Sequence, residues 1–157
     1  MDTLTKLLAG DYRDPETGER LSVPMKSLVI RPSLAGAEAD LVKALDLPKP
    51  YAVLSDDHTH QALGQRVEAA LQSLGKLIPI RLGKRPHPDD ETAERVMREG
   101  EKAGSYIAVG SGSICDLAKY AAARQGKRCA VFATAPSMNG YTSVSYTHLT
   151  LPTIYSV

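Results

Sequence analysis

A chain of 157 residues is long enough for one domain with a substantial hydrophobic core. Hydrophobic residues make up 43% of the chain, charged residues make up 24%, and the formal net charge is +1. These values give no electrostatic basis for binding nucleic acid or an anionic membrane surface, and the absence of Trp with a single Phe argues against a base-stacking platform.

The N-terminal residues and the cysteines predict a cytoplasmic protein. Residues 1–10 contain no long apolar run, so we expect no signal peptide, and no segment is apolar enough to span a bilayer. Cys115 and Cys129 lack CxxC spacing. We therefore expect two small core residues rather than a disulfide or metal ligands, in a reducing compartment.

The predicted elements alternate between helices and strands along the chain. In order they are a helix lined by Leu4, Leu7 and Leu8, a polar turn over 11–19, a strand over 27–30, a helix over 34–45, a strand over 51–55, a helix over 63–74, a strand over 77–82, a loop and N-cap over 86–90, a helix over 93–103, a strand over 106–109, a helix beginning near Ile114 and a strand over 129–133. Pro79 predicts that its strand lies at a sheet edge or that it marks a strand end. Each strand is a continuous apolar run, so we predict the α/β class, with a Rossmann-like parallel sheet and helices on both faces.

The stretch YIAVGSGSICD, residues 106–116, joins a predicted strand to a helix through a glycine-serine turn. Such a turn directs backbone N–H groups and the positive end of a helix dipole at one point, which suits a phosphate or pyrophosphate. Gly110 and Gly112 let a ligand approach the backbone, while Ser111 and Ser113 offer hydroxyl donors. Cys115 stands where the G-x-G-x-x-G fingerprint has its third glycine. A tight strand-to-helix turn without a ligand is the alternative interpretation.

Polar clusters follow three of the predicted strands, at 56–59 (DDHT), 110–116 and 134–141 (TAPSMNGY). Ligands bind beyond the carboxyl ends of the strands in an open parallel sheet, so this shared placement predicts a nucleotide site. Asp56 could accept hydrogen bonds from ribose hydroxyls and would repel a 2′-phosphate, which favours NAD over NADP. Helix capping is the alternative role for Asp57 and Thr59.

Histidines near the predicted site do not form a metal-binding pattern. His58 and His60 lack a third ligand at metal spacing, so we expect surface or capping roles for both. His87 lies between two prolines and is predicted to belong to a loop.

Three segments together resemble the sn-glycerol-1-phosphate dehydrogenases, a branch of the iron-containing alcohol dehydrogenase and dehydroquinate synthase-like superfamily. They are DDHT at 56–59, GSGSICDLAKYAA at 110–122 and, most specifically, TAPSMNGYTS at 134–143. The resemblance covers residues 1–143. It implies an N-terminal NAD(P)-binding Rossmann-like domain over 1–143, cut short before an all-helical domain that binds a divalent metal (Zn, Ni or Fe) in the complete enzyme.

The resemblance also implies which residues contact the cofactor and the substrate. With the loop residues already described, the cofactor-binding set is Asp56, Gly110, Gly112, Ser113, Ile114, Cys115, Asp116, Thr134, Ala135, Pro136, Ser137 and Ser143. Asn139 stands where the family has a substrate-contacting aspartate. An amide keeps the size and can bond a hydroxyl but loses the charge, which leaves the substrate preference open. Neither a catalytic residue nor a metal ligand can be placed in this chain.

The activity implied by the resemblance is hydride transfer between the nicotinamide of NAD or NADP and C2 of dihydroxyacetone phosphate, with the metal polarising the C2 oxygen. The implied partners are a small phosphorylated polyol and, at full length, other copies of the chain, with no nucleic acid and no membrane. We expect no turnover from the 157-residue chain. Two alternatives remain: a dehydroquinate synthase-like or other polyol dehydrogenase of the superfamily, and a stand-alone, non-enzymatic nucleotide-binding domain.

The last segment, VSYTHLTLPTIYSV at 144–157, differs from the rest of the chain. The family pattern leads into a long helix here, whereas this segment is rich in threonine and contains Pro152, a poor composition for a helix. It resembles the conceptual translation of a transposase-type sequencing-library adapter. We predict a non-native tail, and codons that do not spell the adapter would refute this. A natural divergent C-terminus is the alternative.

Overall fold

The structure is a computed structural model that describes residues 3–21 and 25–135. At its centre is a four-stranded parallel sheet with the strand order β4-β3-β5-β6. In chain order the elements are α1 (Thr3–Ala9), β1 (Tyr12–Arg13), β2 (Arg20–Leu21), α2 (Glu38–Ala44), β3 (Tyr51–Ser55), α3 (Asp57–Thr59), a π-helical turn (His60–Gly64), α4 (Gln65–Leu71), β4 (Leu77–Arg81), α5 (Asp90–Glu99), β5 (Ser105–Val109), α6 (Gly112–Arg124) and β6 (Arg128–Phe132). The predicted α/β class is confirmed.

Helices cover both faces of the sheet because both faces are apolar. Successive strand side chains point to opposite faces. Leu54 and Tyr106 pack on the face covered by α5 and α6, whereas Val53 and Ile107 pack on the face covered by α2 and α4. Strands buried on both faces form continuous apolar runs, which is why the sequence indicated a parallel sheet.

The order of the strands creates a crevice at the carboxyl edge of the sheet. The chain leaves β3 and returns in β4 on one side, but it leaves β5 and returns in β6 on the other side. The two connections therefore diverge between β3 and β5. In open α/β sheets such a switch point is where ligands bind.

Pro79 lies in β4, which is an edge strand as predicted. It is the middle residue of the strand and pairs in register with Val53 of β3. Proline has no N–H to donate to a ladder, so a strand accommodates it where its backbone nitrogen faces away from the neighbouring strand.

One prediction for the N-terminal part is wrong and another is incomplete. Residues 27–30 form no strand. Leu28 packs against the core on the face covered by α5 and α6, Val29 packs against the core on the face covered by α2 and α4, and Ile30 is 63% exposed. No neighbouring strand in the described part of the chain provides a ladder for this segment. The polar turn predicted over 11–19 belongs to a small hairpin that was not predicted, in which Tyr12 of β1 pairs with Leu21 of β2. Strands of two residues are too short to show a hydrophobic period.

A buried tyrosine joins the C-terminal ends of α5 and α6. The Tyr106 hydroxyl donates to Gln125 Oε1 at 2.8 Å, and Gln125 Nε2 donates to the carbonyl of Met97 at 2.8 Å. A Cβ on Gly100 would overlap the same hydroxyl, so only glycine fits there. Burial raises the pKa of Tyr106 to about 12, which keeps the phenol neutral and able to donate.

Replacing Tyr106 with phenylalanine removes this donor and leaves Gln125 Oε1 without its partner. We expect the Tyr106→Phe variant to lose about 1 kcal/mol of unfolding free energy, because it loses one partly buried hydrogen bond. Urea denaturation monitored by circular dichroism would measure the loss. A variant as stable as the parent chain would contradict the role given to this bond.

Among the described helices, none is both long enough and apolar enough to cross a lipid bilayer.

Candidate functional site

The carboxyl ends of β3, β5 and β6 lie at one edge of the sheet, and each is followed by a predicted polar cluster. The loops after β5 and β6 are bonded to each other, since the Gly110 N–H donates to the Phe132 carbonyl at 3.0 Å and the Thr134 N–H donates to the Gly110 carbonyl at 3.4 Å. The predicted shared placement is confirmed for 56–59, 110–116 and 134–135. Four predicted site residues lie outside the described part of the chain, as does the segment 144–157: they are Pro136, Ser137, Asn139 and Ser143.

The two glycines of the turn after β5 differ in what surrounds them. A Cβ on Gly110 would come within 2.7 Å of the Ile114 Cβ, so this glycine lets the first turn of α6 pack against the end of β5. A Cβ on Gly112 would meet no heavy atom within 4 Å among the residues that the structure describes. The φ of Gly112 is +46°, in the left-handed region that favours glycine. The open space for a ligand is therefore at Gly112.

The N-terminus of α6 faces the same edge. Ser111 is the N-cap residue, and its side chain makes no capping hydrogen bond to the helix. The helix spans 13 residues, so its first-turn N–H groups stand at the positive end of a full-length helix dipole. Backbone donors and positive potential thus converge beside Gly112, an arrangement that suits an anion.

The other predicted site residues of α6 differ in burial and in the part of the fold that they face. Ser113 is half-buried in the first turn, whereas the Ile114 and Cys115 side chains are buried in the core, so only their backbone groups could face a ligand. The Asp116 side chain lines a cavity of about 70 Å³ between α5 and α6, together with Asp89. It therefore faces α5.

Both cysteines are buried and unpaired, as predicted. Burial raises the pKa of Cys115 to about 11, and burial also raises the pKa of Cys129. Both side chains are therefore neutral thiols near neutral pH and are poor nucleophiles. The Cys115 side chain, in the place of the fingerprint's third glycine, packs between α6 and the sheet.

The raised thiol pKa values predict a loss of stability at alkaline pH. In the unfolded chain the thiol has its ordinary pKa of 9.0, whereas burial raises the pKa of Cys115 in the folded chain to about 11. Over this window the unfolded state binds fewer protons, so the unfolding free energy should fall as pH rises, by up to about 1.4 kcal/mol per pH unit for each thiol. A Cys115→Ala variant should show a shallower decline in urea titrations. An equal slope in the variant and the parent chain would contradict this account.

Asp56 caps the helix that follows β3. Its Oδ1 accepts from the Thr59 N–H at 2.7 Å, and Thr59 Oγ1 accepts from the Asp56 N–H at 3.0 Å, which together form a capping box. The capping role predicted for Thr59 is confirmed, whereas Asp57 lies in the first turn and its N–H donates to the Gly83 carbonyl. Asp56 Oδ2 makes no hydrogen bond within the described part of the chain, so capping leaves one carboxylate oxygen for a ligand.

Two features near this edge were not predicted from the sequence. The first is a cavity of about 260 Å³ beside the end of β6, whose lining includes Pro32, Leu34, Arg66 and Thr134. The second is a polar cluster around Arg81 at the end of β4. Their members are distant in the sequence and belong to no periodic pattern, so no local signal could have grouped them.

The histidines of this region do not form a metal site. His58 is exposed and His60 is half-buried in the π-helical turn. Over residues 3–21 and 25–135, no three His, Cys, Asp or Glu side chains gather in a way that could hold a metal ion.

Comparisons with known proteins agree with this architecture. A family model described as iron-containing alcohol dehydrogenase matches residues 29–150, which takes in the described edge of the sheet and ends inside the segment predicted to be a non-native tail. The crystal structure of NADH-dependent butanol dehydrogenase A from Thermotoga maritima superposes with a TM-score of 0.73 at 15% identity, over 88% of this chain and 43% of that chain. At this identity the likeness shows the fold.

Curated relatives carry a more specific name. The chain is 29% identical over 122 residues to the glycerol-1-phosphate dehydrogenase (NAD(P)+) of Thermococcus kodakarensis. The matched stretch covers 76% of this chain and 34% of that protein. It is 42% identical over 105 residues to the enzyme of the same name from Sulfurisphaera tokodaii. Here the matched stretch covers 66% of this chain and 29% of that protein. The chain thus spans about a third of the length of these relatives.

Proposed function

Because the chain belongs to the iron-containing alcohol dehydrogenase family, we propose that residues 1–143 carry the dinucleotide-binding part of an NAD(P)-dependent sn-glycerol-1-phosphate dehydrogenase. The family members and structural neighbours are oxidoreductases that act on alcohols. The choice of substrate rests on the curated relatives, which are named as glycerol-1-phosphate dehydrogenases.

The observation that carries the proposal is the open space at Gly112, at the N-terminus of α6 and beside the switch point between β3 and β5. A pyrophosphate placed there would accept hydrogen bonds from the first-turn N–H groups of α6 and gain from the helix dipole. Two further observations support this placement: Asp56 Oδ2 makes no hydrogen bond among the described residues, and Thr134 follows β6 at the edge that it shares with the neighbouring strands.

The remaining proposed contacts follow from the position of each loop. Asp56 would accept from the ribose hydroxyls of the adenosine half. Backbone groups of Gly112, Ser113 and neighbouring residues would hold the pyrophosphate, and the loop from Thr134 to Ser137, with Ser143, would hold the nicotinamide half. This path follows the order of the neighbouring strands β3, β5 and β6.

The bound nicotinamide would supply the hydride donor or acceptor for C2 of the phosphorylated polyol. The contribution of this chain is to bind and orient the dinucleotide, with Asn139 proposed to bond a substrate hydroxyl. The described residues do not fit a divalent metal, so we assign no step to one here.

Titration of the purified 157-residue chain with NADH tests this proposal. We expect saturable enhancement of nicotinamide fluorescence that NAD+ reverses by competition, and no reduction of dihydroxyacetone phosphate above a blank. Free adenine should compete much less well, because it lacks the pyrophosphate. The absence of saturable binding of both NADH and NADPH would overturn the proposal.

A further inference from the structure

Arg81, the last residue of the edge strand β4, contacts the end of β3, the π-helical turn and α4. Its Nη1 donates to the buried Ser55 Oγ at 2.9 Å, at the end of β3. Its Nη2 contacts Glu68 Oε1 of α4 at 2.5 Å and His60 Nε2 of the π-helical turn at 3.3 Å. The arginine side chain is 30% exposed and the glutamate side chain is 16% exposed, so this ion pair is largely shielded from water.

The π-helical turn brings His60 into this cluster. Because Nε2 faces a guanidinium N–H, it acts as the acceptor and the proton lies on Nδ1. Nδ1 is buried, has no hydrogen-bond partner among the described residues and lies 4.0 Å from Glu68 Oε1. A Cβ on Gly64 would lie 2.8 Å from Nδ1, so glycine at this position makes room for the ring. Such turns, with one extra residue, are frequent at functional sites.

Backbone bonds to the segment after β4 hold the residues on both sides of Asp56. The Leu82 N–H donates to the Ser55 carbonyl at 3.1 Å, and the Asp57 N–H donates to the Gly83 carbonyl at 2.9 Å. Arg81 adds side-chain contacts to Ser55 and to the turn that begins at His60. The capping box that orients the Asp56 carboxylate therefore lies between two segments that Arg81 joins.

We propose that Arg81, acting with Glu68 and His60, is a positioning residue that fixes the Asp56 carboxylate toward the ribose and thereby sets the preference for NAD over NADP. The inference rests on the proposed function, because it assumes that a dinucleotide ribose lies against Asp56. A carboxylate held in place accepts the 2′-hydroxyl and repels a 2′-phosphate. A carboxylate that is free to rotate bonds the 2′-hydroxyl more weakly and repels a 2′-phosphate less.

A purely structural role for Arg81 predicts a different outcome from a positioning role. Loss of folded protein weakens the apparent affinity for NADH and NADPH by the same factor, so the ratio of the two dissociation constants stays constant. Loss of positioning changes that ratio. The ratio is therefore the informative measurement, with the unfolding free energy measured beside it.

The decisive variant is the double substitution Arg81→Met with Glu68→Leu in the full chain. Replacing both charges avoids leaving one of them buried alone, so the double variant should be more stable than Arg81→Met by itself. We expect its preference for NADH over NADPH to fall about tenfold, the factor that corresponds to about 1.4 kcal/mol. Glu68→Gln keeps the side-chain shape and should lower the preference by about threefold, since a neutral acceptor bonds arginine more weakly.

Tyr106→Phe is the matched control. It removes a partly buried hydrogen bond near the amino ends of the strands, away from Asp56, so it should lower stability and leave the ratio unchanged. An unchanged ratio in both the double variant and Glu68→Gln would overturn the inference while leaving the proposed function intact. A parent chain that binds neither NADH nor NADPH would instead overturn the proposed function and the inference with it.

Discussion

Replacing Gly112 with aspartate is expected to weaken NADH binding by roughly a thousandfold. The side chain would enter the open space beside the N-terminus of α6, where we place the pyrophosphate. Two like charges about 4 Å apart near a protein surface repel by about 4 kcal/mol, which corresponds to that factor. Aspartate tolerates the left-handed φ of +46° better than most residues do, so the fold should survive.

Gly112→Asn is the control for this prediction. Asparagine has nearly the same size and tolerates the same backbone conformation, but it carries no charge. The difference in NADH affinity between the two variants therefore isolates the electrostatic part, and it should shrink as salt is raised. If both variants bind NADH as the parent chain does, the pyrophosphate does not lie at Gly112.

The second large effect is expected at the ion pair between Glu38 and Arg66. Glu38 is 1% exposed at the start of α2, and its carboxylate is paired with Arg66 Nε on α4. Arg66→Ala would leave the carboxylate buried without its partner. We expect a loss of about 3 kcal/mol of unfolding free energy. This value is at the low end of the range for a broken buried ion pair, because the Arg66 side chain is 51% exposed.

Thermal and urea unfolding would measure this loss. For a chain of this size about 3 kcal/mol corresponds to a decrease of roughly 6–12 °C in Tm. The double variant Glu38→Leu with Arg66→Met should recover most of the stability, because neither charge is then buried alone. If Arg66→Ala leaves the unfolding free energy within about 0.5 kcal/mol of the parent value, as an ordinary surface substitution does, the pair contributes little.

The fold could be predicted from the sequence wherever a segment's own composition decides its structure. The runs at 51–54 and 106–109 are apolar because each strand is covered on both faces, and the helices between them show the helical period on their buried sides. Residues 27–30 have the same apolar composition but form no strand. A strand requires a neighbour for its ladder, and composition does not reveal that neighbour.

The same distinction between local and long-range features applies to the candidate site. Gly112 and Asp56 could be proposed as site residues because a turn motif and a strand end are local features of the sequence. The separate role of Gly110 could not be foreseen, since it depends on where Ile114 lies after α6 has packed. The cluster of Arg81, Glu68 and His60 is assembled from a strand, a helix and a π-helical turn, and only the folded chain brings the three together.

The position of Pro79 also affects how copies of this chain would meet one another. An exposed edge strand offers a row of backbone donors and acceptors to which a second chain can add a strand. At the middle of β4, Pro79 supplies no donor, so an intermolecular ladder along that edge would be interrupted after about two residues on either side. The outer edge of β4 is thus a poor template for aggregation, even though its sequence is largely apolar.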